Sequence, residues 1–317
     1  MTIRNTIAFL LRCRPALHRS KGLKLRRATR AKALAIALFP ALLVGGAKAQ
    51  NTASPSGAQS AQPDIVPQGS SIPGLGTRET GLNGPGYLEF GGSRSDLSQS
   101  QPSWTDLYLR GVASTERNSF SAEANRQQRY GELGYFYSLG WTRIINQDWY
   151  GEVSAGTGSH GGLFLPKWTF DGIVNRKLLS SRRLVVNGGW GYDKSKLANT
   201  DQRYQAGAMY YFPFNLMAQG GVTFTKAQPG NILARAQSVA VTYGREKEHY
   251  IMGRAEIGRE GYLIIGNNSI YNFPIHNYAA TYRQWIGVNW GFNVSFEHDG
   301  NPYFRRNGAI VAMFLDF

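Results

Sequence analysis

The chain has 317 residues and a formal net charge of +15, a balance that ordinarily points to a nucleic-acid partner. About a third of its Lys and Arg residues, however, lie in Met1–Ala49, which contains no Asp or Glu, so the rest of the chain is close to charge balance. The single cysteine, Cys13, lies in the same segment, which excludes disulfides and thiolate metal sites elsewhere. We therefore expect no nucleic-acid partner, no metal and no cofactor.

Residues 1–49 have the pattern of a secretory signal peptide. A basic stretch precedes the apolar run Ala33–Gly46, which is shorter than the roughly 20 residues that span a bilayer. Ala47-Lys48-Ala49 then supplies the Ala-x-Ala motif that is typical of a signal-peptidase cleavage site. The pattern predicts export and cleavage before Gln50, although the length of the basic stretch leaves a later start site open.

Residues 50–85 are rich in Pro, Ser, Gln and Gly and have no hydrophobic periodicity. Such a segment buries too little apolar surface to offset the entropy lost on ordering. We predict a disordered periplasmic leader here, with the folded domain covering 86–317.

From Gly86 onward, segments of about ten residues alternate between apolar and polar side chains. The clearest is Val288–Glu297, where Val, Trp and Phe alternate with Asn, Gly and Ser. Repeated alternation of this kind is typical of a transmembrane β-barrel, although a soluble β-sandwich also alternates. We count fourteen candidate strands, with twelve remaining possible: 86–93, 104–113, 118–127, 130–142, 148–157, 167–177, 183–193, 202–212, 214–225, 234–244, 248–258, 277–285, 288–298 and 306–317.

Two further features favour an antiparallel barrel in the outer membrane of a Gram-negative bacterium. Trp and Tyr recur near segment ends, as at Trp141 and Trp190, where amphipathic rings favour the membrane–water boundary. An even strand number places both ends of the domain in the periplasm, and the longest predicted connections, 94–103, 158–166 and 259–276, then face outward.

The polar faces of these segments predict the lining of the lumen. Their mixed charges indicate either an interior filled by paired charges or a narrow pore, with neither sign strongly favoured. The lumen-lining candidates are Asp106, Arg110, Glu123, Glu132, Asp171, Asn175, Asp193, Arg203, Gln205, Gln219, Arg254, Glu256, Arg283 and Glu297.

The last segment carries an apolar stripe that ends in an aromatic residue. Met313, Leu315 and Phe317 lie on one face with Ala309 and Val311. This pattern is similar to the signal read by the outer-membrane assembly machinery, so we expect that machinery and outer-membrane lipids, including lipopolysaccharide, to be partners.

The histidines are the candidates for catalysis, because some outer-membrane barrels hydrolyse lipids with a Ser–His pair. His160, His249, His276 and His298 follow no hydrolase motif, and we expect them to be solvated loop or strand-edge residues. The residues therefore favour a barrel without catalytic activity.

Several stretches resemble the YaiO family of outer-membrane β-barrels. They are LPKWTFDGIVNRKLL (165–179), LVVNGGWGYDKSK (184–196), QAGAMYYFPFNLMAQGGVTF (205–224) and the ending YFRRNGAIVAMFLDF. The resemblance implies an outer-membrane barrel, in some cases linked to surface polysaccharide, with no catalytic residues to carry over. The leading hypothesis is a narrow porin or an accessory of surface-polysaccharide export, with polysaccharide-export components as possible partners. A lipid or lipopolysaccharide hydrolase and a surface interaction or assembly barrel are the alternatives.

Overall fold

The computed structural model describes residues 86–197, 199–263 and 270–317. The predicted signal peptide and leader lie outside the described residues. Within those ranges, no helix is both long enough and apolar enough to cross a membrane.

Fourteen strands form one closed antiparallel barrel, in which each strand pairs with its neighbours in sequence and β1 pairs with β14. The count confirms the predicted fourteen strands. Their bounds are β1 Gly86–Leu97, β2 Trp104–Ser114, β3 Asn118–Arg129, β4 Glu132–Ile144, β5 Trp149–Gly158, β6 Pro166–Leu178, β7 Leu184–Ser195, β8 Thr200–Tyr211, β9 Leu216–Gln228, β10 Ile232–Arg245, β11 His249–Leu263, β12 Ile270–Trp285, β13 Trp290–Gly300 and β14 Arg305–Asp316.

The seam between β1 and β14 closes the barrel. Phe90 is registered with Met313, and the backbones of Gly86 and Phe317 exchange two hydrogen bonds of 3.0 Å. Closure matters because a bilayer core offers no water to satisfy an open strand edge. The start of β1 and the end of β14 thus lie at the same end of the barrel, which we call the terminal end. We call the opposite end the distal end.

Burial alternates along the strands and separates the two faces of the wall. Val239 and Val311 are 52 % and 56 % exposed, whereas the neighbouring Ala240 and Ala312 are 3 % and 2 % exposed. Apolar side chains exposed on one face of a closed barrel are those expected to contact lipid. The predicted outward stripe on β14, including Met313, Leu315 and Phe317, lies on this exposed face.

The predicted long outer connections are shorter than expected. Residues 259–276 were predicted to form a loop, but β11 continues to Leu263 and β12 begins at Ile270. The residues added to these strands keep the two-residue alternation only weakly, which is why the sequence pattern stopped early. The brief link predicted at 128–129 is the hairpin turn Tyr130-Gly131, where both residues have positive φ, as a tight two-residue turn requires.

Candidate functional site: the lumen wall

The inward face brings together the polar side chains that the alternation placed there. All of the predicted lumen residues except Glu132 lie on this face. Glu132 is exposed at the distal rim. Its Oε2 accepts a hydrogen bond of 2.9 Å from the Leu163 amide, so it holds a distal loop and does not line the lumen.

A buried cluster spans the closing seam. Glu89 of β1 accepts hydrogen bonds from Arg283 of β12 at 2.9 Å and from Asn293 of β13 at 2.6 Å. On its other side, its carboxylate accepts a 3.0 Å hydrogen bond from the Tyr108 hydroxyl and lies 3.7 Å from Arg110, which pairs in turn with Glu123 at 2.8 Å.

This seam cluster reaches across three strands because it lies on the concave side of the wall. Small residues make room for it: a Cβ on Gly91 would lie 2.6 Å from the Cβ of Ala312. Glu89 and Arg283 are each about 1 % exposed. Buried carboxylates and guanidiniums are tolerated only when paired, so the cluster ties the first strand of the barrel to its last strands.

A second cluster lies on β6–β8. Arg203 is buried and pairs with Asp171 at 2.5 Å and with Asp193, which also accepts a hydrogen bond from Thr169. The intervening β7 residue is Gly191, and a Cβ there would collide with the pair. The glycine therefore allows a guanidinium on β8 to reach a carboxylate on β6.

A third cluster forms a layer near the distal rim. Trp104 lies between the guanidiniums of Arg129, at 4.7 Å, and Arg306, at 5.4 Å from the ring centre. Arg306 also pairs with Glu297 at 3.4 Å and with Asp299. Asp299 accepts a hydrogen bond from Asn277, whose own amide oxygen accepts one of 2.8 Å from Arg254.

The distal loops are held together beside this layer. Lys196 donates hydrogen bonds to the carbonyl oxygens of Gly161, at 2.7 Å, and Gly162, at 2.5 Å. Partial burial lowers the pKa of Lys196, while the nearby Glu132 opposes that shift. The ammonium thus links the β7–β8 loop to the β5–β6 loop.

The middle of β6–β10 presents a different surface, which we call the amide wall. It carries glycines and small or amide side chains, and it contains a recess lined in part by Asn187, Gln205 and Gln219. The buried amide oxygens of Asn175 and Gln219 have no hydrogen-bond partner in the described protein. The wall consists of Asn175, Asn187, Gly189, Gln205, Gly207, Gln219, Gly221, Thr223 and Ser238.

An apolar layer lies on the inward face toward the terminal end. Tyr150, Val185, Met209 and Met217 form one buried cluster. On the opposite strands, Trp285 packs edge-on against Phe314 and lies 6.2 Å from Tyr250, measured between ring centres. The inward face toward the terminal end therefore combines apolar side chains with the seam cluster, whose Arg283 lies over the Phe314 ring.

The four histidines among the described residues do not face the lumen. His276 and His298 stack on the outward face with ring centres 5.7 Å apart, and His298 also stacks on Tyr278. His298 Nδ1 lies 2.7 Å from Asn307 Oδ1, so its described partner is an amide. His160 lies in the β5–β6 connection and His249 begins β11.

Several members of these clusters were not predicted. Glu89 was missed because no faces were assigned to the first strand, although Tyr87, Glu89 and Gly91 alternate with Leu88 and Phe90 in the expected way. Three others lay in or beside predicted connections or at strand ends that the prediction cut short. They are Arg129, Asp299 and Arg306.

A closed antiparallel barrel with an apolar outward face and a polar inward face defines a transmembrane β-barrel of the Gram-negative outer membrane. The chain belongs to the family described as the YaiO membrane beta barrel domain, whose model matches residues 86–263. This family membership confirms the resemblance seen in the sequence.

Comparison with solved structures returns other outer-membrane barrels. The CymD monoaromatic hydrocarbon channel has 9 % identity and a TM-score of 0.48, covering 73 % of this chain and 87 % of its own. A bacterial polysaccharide outer membrane secretin has 9 % identity and a TM-score of 0.46, with 73 % and 98 % covered. OmpT of Vibrio cholerae has 8 % identity and a TM-score of 0.44, with 76 % and 100 % covered. No curated protein matches the sequence, and likenesses this distant carry no functional conclusion.

Proposed function

We propose that this barrel is a narrow, non-catalytic channel for small polar solutes that prefers cations to anions. The observation that carries the proposal is the amide wall. The three ionic clusters lie against the barrel wall, and each of their pairs joins strands no more than three apart. Such clusters line a lumen without crossing it, which leaves the amide wall as a path for water and solute.

The proposed cation preference comes from the excess of acids over bases on the inward face. A pore lined by carboxylates raises the local concentration of cations and repels anions. The inward acids are Glu89, Asp106, Glu123, Glu152, Asp171, Asp193, Asp201, Glu256, Glu260, Glu297, Asp299 and Asp316, and the inward bases are Arg110, Arg129, Lys177, Arg203, Arg254, Arg283 and Arg306.

Planar-bilayer recording tests the channel with a matched pair of variants. Ser238 faces the lumen in the middle of β10, and its neighbour Val239 faces lipid. We expect Ser238→Trp to lower single-channel conductance because the indole narrows the path, and Val239→Trp to leave it unchanged. In a KCl gradient, the wild-type reversal potential should have the sign of K⁺ selectivity.

Two results would contradict this function. If the wild-type protein shows no channel conductance at any voltage, it is not a channel. If the two Trp variants change the conductance equally, the amide wall is not the path of the solute.

A role as an accessory of surface-polysaccharide export is the second proposal, and it rests on the family alone. This role requires export components as partners. Co-purification of such components with the protein, together with the absence of channel conductance, would favour it. The hydrolase alternative requires a base beside a nucleophile, and release of acyl chains from outer-membrane lipids by the purified protein would establish it.

We also propose that the chain is exported to the outer membrane and that its signal peptide is cleaved after Ala49. Mass spectrometry of the protein from outer membranes should find Gln50 at the amino terminus. An intact Met1, or a start within Ala33–Gly46, would contradict the cleavage site.

A further inference from the structure

The outward face carries its own charge pattern, which the channel does not use. Toward the distal end, basic side chains point outward on seven of the fourteen strands. Among the described strand residues, Asp96 is the only acid on this face, and it pairs with Arg94 at 3.4 Å. We call these residues the distal cationic band: Arg94, Arg126, Lys194, Lys226, Arg235, Arg259 and Arg305.

The band is densest on β9–β11. Lys226 is registered with Leu233, which places Arg235 diagonally beside it. Ala236 is registered with Gly258, so the next residues along, Arg235 and Arg259, lie side by side. Directly opposed side chains have Cβ atoms about 5 Å apart and diagonal neighbours about 7–8 Å apart. Three cations thus share a patch the size of one phosphorylated headgroup.

Like charges that oppose each other across strands destabilise a sheet, so this arrangement calls for an anion. Strands β9 and β10 supply none, because residues 202–245 contain no Asp or Glu, and the two acids of β11, Glu256 and Glu260, face inward. Arg259 is nevertheless held in place: its Nε donates to Asn272 Oδ1 at 2.7 Å and its Nη2 donates to the Asn272 carbonyl at 2.6 Å.

The position of the patch identifies the kind of anion. Phe224 and Tyr204 are exposed on the same face, and Phe224 is registered directly with Arg235, whose guanidinium lies 5.9 Å from the centre of the Phe224 ring. Aromatic rings mark the level where acyl chains meet headgroups. A ligand here therefore places acyl chains against the rings and phosphate against the cations.

We infer that Lys226, Arg235 and Arg259 bind the phosphates of a bisphosphorylated glycolipid in the outer leaflet. Arg donates two parallel hydrogen bonds to one phosphate, and Lys supplies a point charge to its neighbour. This inference is independent of the channel, because these side chains lie on the opposite side of the wall from the lumen.

The test is lipid binding by the protein purified from outer membranes in detergent, followed by native mass spectrometry. The probes are bisphosphorylated lipid A, its phosphate-free form and phosphatidylglycerol. The variant K226Q/R235Q/R259Q is compared with R143Q/R176Q/R245Q, which removes three outward-facing cations at the terminal end. A heat-modifiable gel band checks that each variant is folded.

We expect wild type to prefer the bisphosphorylated lipid. The distal variant should lose on the order of a hundredfold in affinity, because each Lys or Arg near an anionic lipid surface contributes roughly fivefold. The terminal-end variant should bind nearly as wild type does. Equal losses in the two variants, or equal binding of phosphatidylglycerol and lipid A by wild type, would overturn the assignment.

Discussion

The two faces of the barrel wall separate charge by sign. The inward face carries most acids of the described strands together with paired arginines, whereas the outward face carries apolar side chains and, toward its ends, bases. Buried charges inside need partners, as Glu89 and Arg283 show. The outward bases lie near the ends of the strands, where long side chains reach the headgroup level. Arginine thus pairs with buried carboxylates on the inward face, whereas on the outward face it reaches the lipid headgroups.

The largest expected effect comes from breaking the inward ionic pairing. Glu89→Gln leaves Arg283 and Arg110 without their shared carboxylate in a buried site. Removing one partner of a buried pair costs about 3–5 kcal/mol, so the urea midpoint for unfolding from lipid vesicles should fall sharply. Arg94→Gln, which removes an exposed outward pair, should shift the midpoint little. A small shift for Glu89→Gln would mean that the seam does not depend on this cluster.

A charge of the same kind placed on either side of one strand sharpens the comparison. Val239→Lys puts an ammonium into lipid near the middle of β10 and should cost about 2–4 kcal/mol, whereas Ser238→Lys faces the polar lumen and should be tolerated. Unfolding from vesicles, followed by tryptophan fluorescence, measures both. Equal costs would show that the faces of β10 are assigned wrongly. The pair Val311 and Ala312 is less suitable, because Ala312 is buried against Gly91 beneath the seam cluster.

The smallest expected effect on stability comes from adding a side chain at a glycine on either face of β7. Gly191→Val intrudes on the Asp171–Arg203 pair and should cost about 1–3 kcal/mol, a typical overpacking penalty that the flexible side chains can partly relieve. Gly188→Val points outward, where the nearest atom to its Cβ is the Gln205 carbonyl oxygen at 3.9 Å, and should be neutral. Stability measured in the same vesicles decides between them, and a neutral Gly191→Val would show that the pair needs no glycine.

The sequence by itself determined the strands and their faces. A strand places successive side chains on opposite sides, so alternation of apolar and polar residues reports the face directly, as at Val288–Glu297. Because the pattern recurs along 86–317, it favoured a barrel of fourteen strands and left twelve possible, and the closed strand order decided for fourteen. It was weakest at strand ends, where the alternation fades, and so the extensions of β11 and β12 were missed.

Only the tertiary structure decided which inward side chains meet. Alternation placed Arg283 and Arg203 in the lumen, but it contains no information on register or on which strands lie side by side after closure. Glu89 and Arg283 are separated by 194 positions and meet because β1 closes on β14, with small residues between them. The same holds on the outside, where Arg235 and Arg259 become neighbours through the pairing of β10 with β11. Face is a local property of the chain, whereas contact across a barrel depends on how every strand is registered.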